Sequence, residues 1–130
     1  MSADSMVANV MSNVPKAMAA GVVDMSTGML LAVKTVDSHP QQVLDLVAAA
    51  TRDLFEGDTV VTIEDHFRRS RGDAGSKYFR EIIVNSHNLT HVFGRLNTNE
   101  NIVLVAVLRA DANLGMVLAK FREIATTQSI

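Results

Sequence analysis

The sequence contains no cysteine, which removes disulfide frameworks, thiolate nucleophiles and cysteine-ligated zinc and makes the reducing cytoplasm the expected compartment. It has no tryptophan, one tyrosine and five phenylalanines, few aromatic groups with which to line a small-molecule pocket. Charge of one sign is missing too: 12 Lys plus Arg stand against 14 Asp plus Glu, for a net charge of -2. Such a balance offers no broad attraction to nucleic-acid phosphates or an anionic membrane. Long apolar runs are absent, since the longest, Ile102 to Leu108, has only seven residues, far short of the roughly 20 that a membrane-spanning helix needs. The first twenty residues carry no basic start followed by an apolar stretch, so no secretory signal is expected. What is present, 48% apolar and 20% charged residues with only two prolines in 130, predicts one globular domain over residues 1–130.

Apolar spacing then divides the chain. Met6, Val7, Val10, Met11 and Val14 recur at helical intervals before Pro15, which ends a short amphipathic helix. Ala17 to Met25 and Met29 to Val36 flank Ser26-Thr27-Gly28, where the glycine supplies the positive φ of a tight β-hairpin. From Pro40, with Asp37 and Ser38 in position to cap, Val43, Leu44, Val47, Ala48, Thr51, Leu54 and Phe55 form one stripe of a long helix. Gly57-Asp58 interrupts it, and Val60, Ile63 and Phe67 continue in a shifted phase, which predicts a kink or a second short helix. The polar, glycine-bearing stretch around 70–77 reads as an exposed loop. Tyr78 to Asn85, Thr90 to Leu96 and Ile102 to Arg109 read as a three-stranded meander. Asp111 is then placed to cap a last helix carrying Leu114, Val117, Leu118, Phe121 and Ile124.

The run Ile102-Val103-Leu104-Val105-Ala106-Val107-Leu108 has no polar alternation, so both faces of that strand must be covered. It therefore sits centrally and joins hairpin to meander in a five-stranded antiparallel sheet with helices on both faces, an α/β fold of the α+β type. The order is helix, two strands, helix, three strands, helix. That leaves the Tyr78 strand, with Phe79, Ile82, Ile83 and Val84, at an edge where unpaired backbone meets bulky apolar side chains, a liability that dimerisation relieves.

With this order in place, Gly21-Val22-Val23-Asp24-x-x-x-Gly28-Met29-Leu30-Leu31-Ala32, together with Val105-Ala106-Val107-Leu108 leading to Ala112-Asn113-Leu114-Gly115-Met116-Val117, resembles the opening hairpin and the closing strand and helix of the Roadblock/dynein light chain family. The resemblance covers about residues 5–125 and departs from the family's pattern between Gly57 and Lys77, which is longer and more basic. It implies a homodimer whose long helices pair and whose edge strands join into one continuous sheet. On this chain, that places Val47, Ala48, Thr51 and Phe55, with Phe79, Glu81 and Ile83, at or near the interface. The Ala48-Ala49-Ala50 run is read in two ways, as a close helix approach or as a tight fit against the chain's own sheet. Bacterial members of the family act with small Ras-like GTPases, so the resemblance also implies such a partner.

Chemistry-bearing residues are sparse. His87 and His91 have the i, i+4 spacing that chelates a metal on a helix, but they fall across a turn and a strand and no cysteine supplements them. Glu64-Asp65-His66 points three ways on a helix and reads as a solvated face. Gly72-Asp73-Ala74-Gly75-Ser76-Lys77 lacks the ending and the preceding strand that a phosphate loop needs. No Gly-x-Ser-x-Gly turn or triad pattern is present. Neither a cofactor nor a metal is expected, and the chain reads as a non-enzyme. Arg68-Arg69-Ser70-Arg71 is the remaining candidate for partner contact. An arginine inserted in trans stabilises charge in a GTPase, whereas basic residues at a helix C-terminus also simply complement its dipole.

Three functions follow as expectations: a dimeric regulator or scaffold for a small Ras-like GTPase, a nucleotide-independent adaptor in a motility, polarity or signalling assembly, or a small-ligand sensor. The first draws on the resemblance and the lack of a catalytic pattern. The third has the shortage of aromatic side chains against it.

Overall fold

The computed structural model describes residues 2–38, 40–71, 77 and 79–130, with Arg71 as backbone only. His39, Tyr78 and the 72–76 segment, and with it most of the expected polar loop, lie outside the described residues. In chain order the elements are α1 (Ala3–Asn13), β1 (Ala17–Asp24), β2 (Met29–Thr35), α2 (Gln41–Glu56), α3 (Asp58–Arg71), β3 (Glu81–Asn85), β4 (Leu89–Arg95), β5 (Ile102–Arg109) and α4 (Leu114–Thr127).

The strands form one antiparallel sheet in the order β2-β1-β5-β4-β3. The unbroken apolar run is the centre, as its lack of alternation demands: Ile102 to Ala106 are all buried. Alternate side chains feed two separate cores. Val22, Val92, Leu104 and Ala106 face α1 and α4, meeting Met6, Val10, Val117 and Phe121. On the opposite face, Val23, Phe93, Val103 and Val105 meet Ala48 and Phe55 of α2.

Local chemistry sets the element ends. Ser2 caps α1 by accepting from the Ser5 amide at 3.1 Å, a bond that satisfies one of the helix's orphan donors. The β1–β2 turn is held by Asp24, whose carboxylate accepts from the Ser26 amide at 2.9 Å, and it closes through Gly28 at φ 74°, the left-handed conformation expected of that glycine. Gly57 divides α2 from α3, where a Cβ would come within 2.6 Å of the Asp53 carbonyl oxygen. Of the expected kink or second short helix, the structure has the second helix, of 14 residues.

Three boundaries differ from the sequence reading. Neither Asp37 nor Ser38 caps α2; Pro40 occupies the cap position without a side-chain bond. Asn113, not Asp111, caps α4, accepting from the Met116 amide at 3.1 Å. Asp111 is instead held by Lys16 at 2.9 Å, with Arg109 at 3.5 Å. Finally, β3 runs from Glu81, so that Phe79 and Arg80, expected in the strand, precede it, and the Phe79 carbonyl accepts from the Arg95 guanidinium at 2.6 Å.

Candidate interaction surface

The sheet's two edges are protected differently. On β2 the register with β1 slips after Val22, pairing Val22 with Ala32 and Val23 with Leu30, so Leu31 is a bulge. Lys34 adds a charge on the same strand. Bulges and lysines are devices that discourage further strand pairing. By contrast, β3 pairs with β4 in unbroken register from Glu81–Gly94 to Asn85–Thr90. Its sequence, Glu-Ile-Ile-Val-Asn, holds no lysine and no proline.

Hydrogen bonding fixes which backbone groups β3 leaves open. The Ser86 amide donates to Leu89 and the Arg95 amide to the Arg80 carbonyl, so even-numbered residues here bond to β4. In an antiparallel ladder the bonded pairs alternate, and Glu81, Ile83 and Asn85 therefore turn their amides and carbonyls outward. Ile83 and Val84, 39% and 38% exposed, project to opposite faces of this edge.

Across the sheet α2 packs over β2 and β1 and carries two adjacent apolar stripes. Ala48, Thr51 and Phe55 point inward and are buried, whereas Val43, Leu46, Val47 and Leu54 are exposed. Of the four α2 residues expected near an interface, only Val47 therefore reaches the surface. The Ala48 position is the tight fit against the chain's own sheet, while Ala49 and Ala50 lie exposed. The outward stripe was missed because Val43, Val47 and Leu54 were merged with the inward residues. The signal was present: the apolar arc is wider than one packing face of roughly 100° fills.

Among the strand residues, Phe79 packs against the α2-side core and Glu81 accepts two bonds from Arg122 of α4, at 3.0 and 2.7 Å. The sequence reading did not single out Arg95, which is 3% exposed. Its guanidinium donates to the carbonyls of Phe79 at 2.6 Å, Glu100 at 2.7 Å and Phe55 at 3.3 Å, and to the Glu56 carboxylate at 3.2 Å. Arg95 also lies over the Phe55 ring at 4.9 Å, and Lys77 closes the group by pairing with Glu56 at 3.2 Å. The end of α2 and the lead-in to β3 are thus tied to one charge.

The other candidates do not converge. At the end of α3, Arg68 pairs with Asp65 at 2.9 Å and Arg69 reaches the Asp65 carbonyl at 3.4 Å. The side chain of Arg71 lies outside the described residues. Glu64 is buried at 3%, which corrects the reading of Glu64-Asp65-His66 as a solvated face; α3 turns its Glu64 side inward. His87 is exposed on the β3–β4 turn, while His91 is half-buried on β4 and stacks on Phe93 with ring centroids 6.3 Å apart. Burial pushes the His91 imidazole below its usual range. No group of three or more acidic or histidine side chains among the described residues could hold a metal ion, and none of the described helices is long and apolar enough to cross a membrane.

No family model matches the chain, and no curated protein matches it in sequence. Solved structures do match in fold. A Roadblock/LC7 domain from Streptomyces avermitilis superposes with a TM-score of 0.67 at 14% identity, over 96% of this chain and 92% of that one. The gliding protein MglB from Thermus thermophilus gives 0.67 at 18% identity, over 93% and 81%. Myxococcus xanthus MglB gives 0.62 at 14% identity, over 95% and 85%. At these identities the likeness is one of fold, and the chain has a Roadblock-like fold.

Proposed function

We propose that this Roadblock-like chain acts without catalysis, as a homodimer joined through β3 and the outer stripe of α2, and that the dimer is a docking platform for a small Ras-like GTPase. The observation that carries the dimer is the contrast between a guarded β2 edge and an unguarded β3 edge. With Glu81, Ile83 and Asn85 turned outward, a twofold antiparallel pairing centred on Ile83 sets Glu81 opposite Asn85 of the second copy. Ile82 and Val84 then meet in the close, non-bonded pairs. Five paired residues bury too little by themselves, since stable interfaces need about 1,200–2,000 Å² in total. Val43, Leu46, Val47 and Leu54 supply further apolar area.

The GTPase reading rests on the sequence resemblance together with the fold, and the fold neighbours include proteins described as MglB. Arg68, Arg69 and Arg71 are proposed as a secondary contact, and the cytoplasm as the compartment. The decisive experiment is affinity capture in parallel with GDP and with a non-hydrolysable GTP analogue. A Ras-like GTPase enriched in one nucleotide state supports the platform. Capture of the same proteins regardless of nucleotide replaces it with a structural adaptor.

A further inference from the structure

The first half of α2 stands off the sheet. On its inward face Leu44 is only half-buried, whereas Ala48, Thr51 and Phe55 further along the same face are buried. Beneath the raised half lies a groove of about 200 Å³. Strand register orders its floor. Thr35, Ala19, Val107 and His91 form one row across β2, β1, β5 and β4, and Val33, Gly21, Val105 and Phe93 form the next.

The depth comes from Ala19 and Gly21, the smallest residues in those rows. Gly21 is not required by its backbone or by crowding: it has no positive φ, and a Cβ there would meet Leu30 and Ala32 at 3.5 and 3.7 Å, ordinary contact distances. Its effect is to keep the floor low. Toward the C-terminal half of α2 the groove is closed by the edge-to-face contact of Phe55 with Phe93, centroids 6.5 Å apart. Thr35 and His91 supply its polar side chains, both in the outer row, and no charged side chain is among its described lining residues.

We propose that this groove binds an uncharged amphiphile, its alkyl chain lying over Ala19 and Gly21 under α2 and its hydroxyl or ester end at the Thr35–His91 row. The polarity of the walls argues for that chemistry. A charged group drawn inside would lose its hydration with no counter-charge to replace it. The Thr35 hydroxyl donates to the Asp37 carbonyl and His91 Nε2 meets the Ser86 Oγ at 3.4 Å, which leaves the Thr35 oxygen lone pairs and His91 Nδ1 for the polar end of a ligand. Burial lowers the pKa of the His91 imidazole, which favours the uncharged form that can still hydrogen-bond. One aromatic wall, Phe93, suffices for a chain ligand, so the shortage of aromatic residues does not count against this site. The inference is independent of the GTPase reading.

The test uses the full chain, the neutral fluorescent probe N-phenyl-1-naphthylamine, and decan-1-ol as competitor. The expected result is saturable binding of one probe per chain, displacement by decan-1-ol, and affinity at least tenfold weaker in Gly21→Val, with no change in mass by light scattering. Ala19→Leu fills the same floor from the adjacent row and is expected to act alike, which covers the case in which Gly21→Val does not fold. Absence of saturable binding to the wild type would overturn the proposal, as would binding that both filled variants retain. A wild type that binds no probe, with filled variants that lose the dimer mass, would assign the groove to side chains of a second copy.

Discussion

The Arg95 guanidinium is a buried charge that makes four hydrogen bonds, to three carbonyls and one carboxylate. Removing it strands those acceptors, and breaking a buried charged network costs about 3–5 kcal/mol. Arg95→Met is expected to lose about that much, read as a lower urea midpoint at unchanged slope. Gly94 is restricted by its neighbour rather than by its backbone, since a Cβ would stand 2.6 Å from the edge of the buried Phe121 ring. Gly94→Ala should therefore cost about 1–3 kcal/mol by overpacking, measurable in the same titration. His91 ties stability to pH. Burial holds its folded pKa below that of a free imidazole, about 6.5, so from about pH 6.5 downward the unfolded chain takes up a proton that the folded chain resists. Stability is full above about pH 6.5 and falls as pH drops toward the depressed folded value. The drop in Tm between pH 7.5 and 5.5 should be smaller in His91→Asn than in the wild type.

At the scale of elements, helix ends separate side chains that look alike in sequence. Asn113 and Asp111 both precede α4 and both are of capping type, yet only Asn113 stands directly before Leu114 and bonds the Met116 amide, while Asp111 pairs with Lys16 and Arg109. Loss of a cap costs about 1 kcal/mol, whereas exposed ion pairs contribute about 0–1 kcal/mol. Asn113→Ala is thus expected to lower the urea midpoint and Asp111→Ala to leave it nearly unchanged. Helix and strand periodicity located every described element, because 3.6-residue and two-residue repeats are local properties of the chain. What periodicity merged was α2, where an inward and an outward apolar stripe lie side by side, and α3, whose Glu64 turned inward. The facing of a helix is set by where the sheet meets it, and that information is not local.

For the whole molecule, the β3 edge and the outer stripe of α2 predict an assembly. Ile83→Arg and Leu46→Asp should each convert a dimer mass to a monomer mass by light scattering while far-ultraviolet circular dichroism stays the same. A wild type with the monomer mass at all concentrations would refute the dimer. Val47 was legible in sequence as a surface candidate, and Ile83 as an edge residue. Val84 and Leu46 were not assigned to an interface, and Arg95 was invisible, since its partners are backbone carbonyls distant in sequence.

By itself the sequence determined the kinds of elements, their order, the central position of the Ile102 strand and the family resemblance, all of which follow from local apolar period and from a run that both faces must bury. Only the tertiary structure decided which edge is guarded, which way α2 faces, which residue caps α4 and that a groove opens over Ala19 and Gly21. Each of those depends on what stands opposite a residue across the sheet, and that neighbour is supplied by the fold.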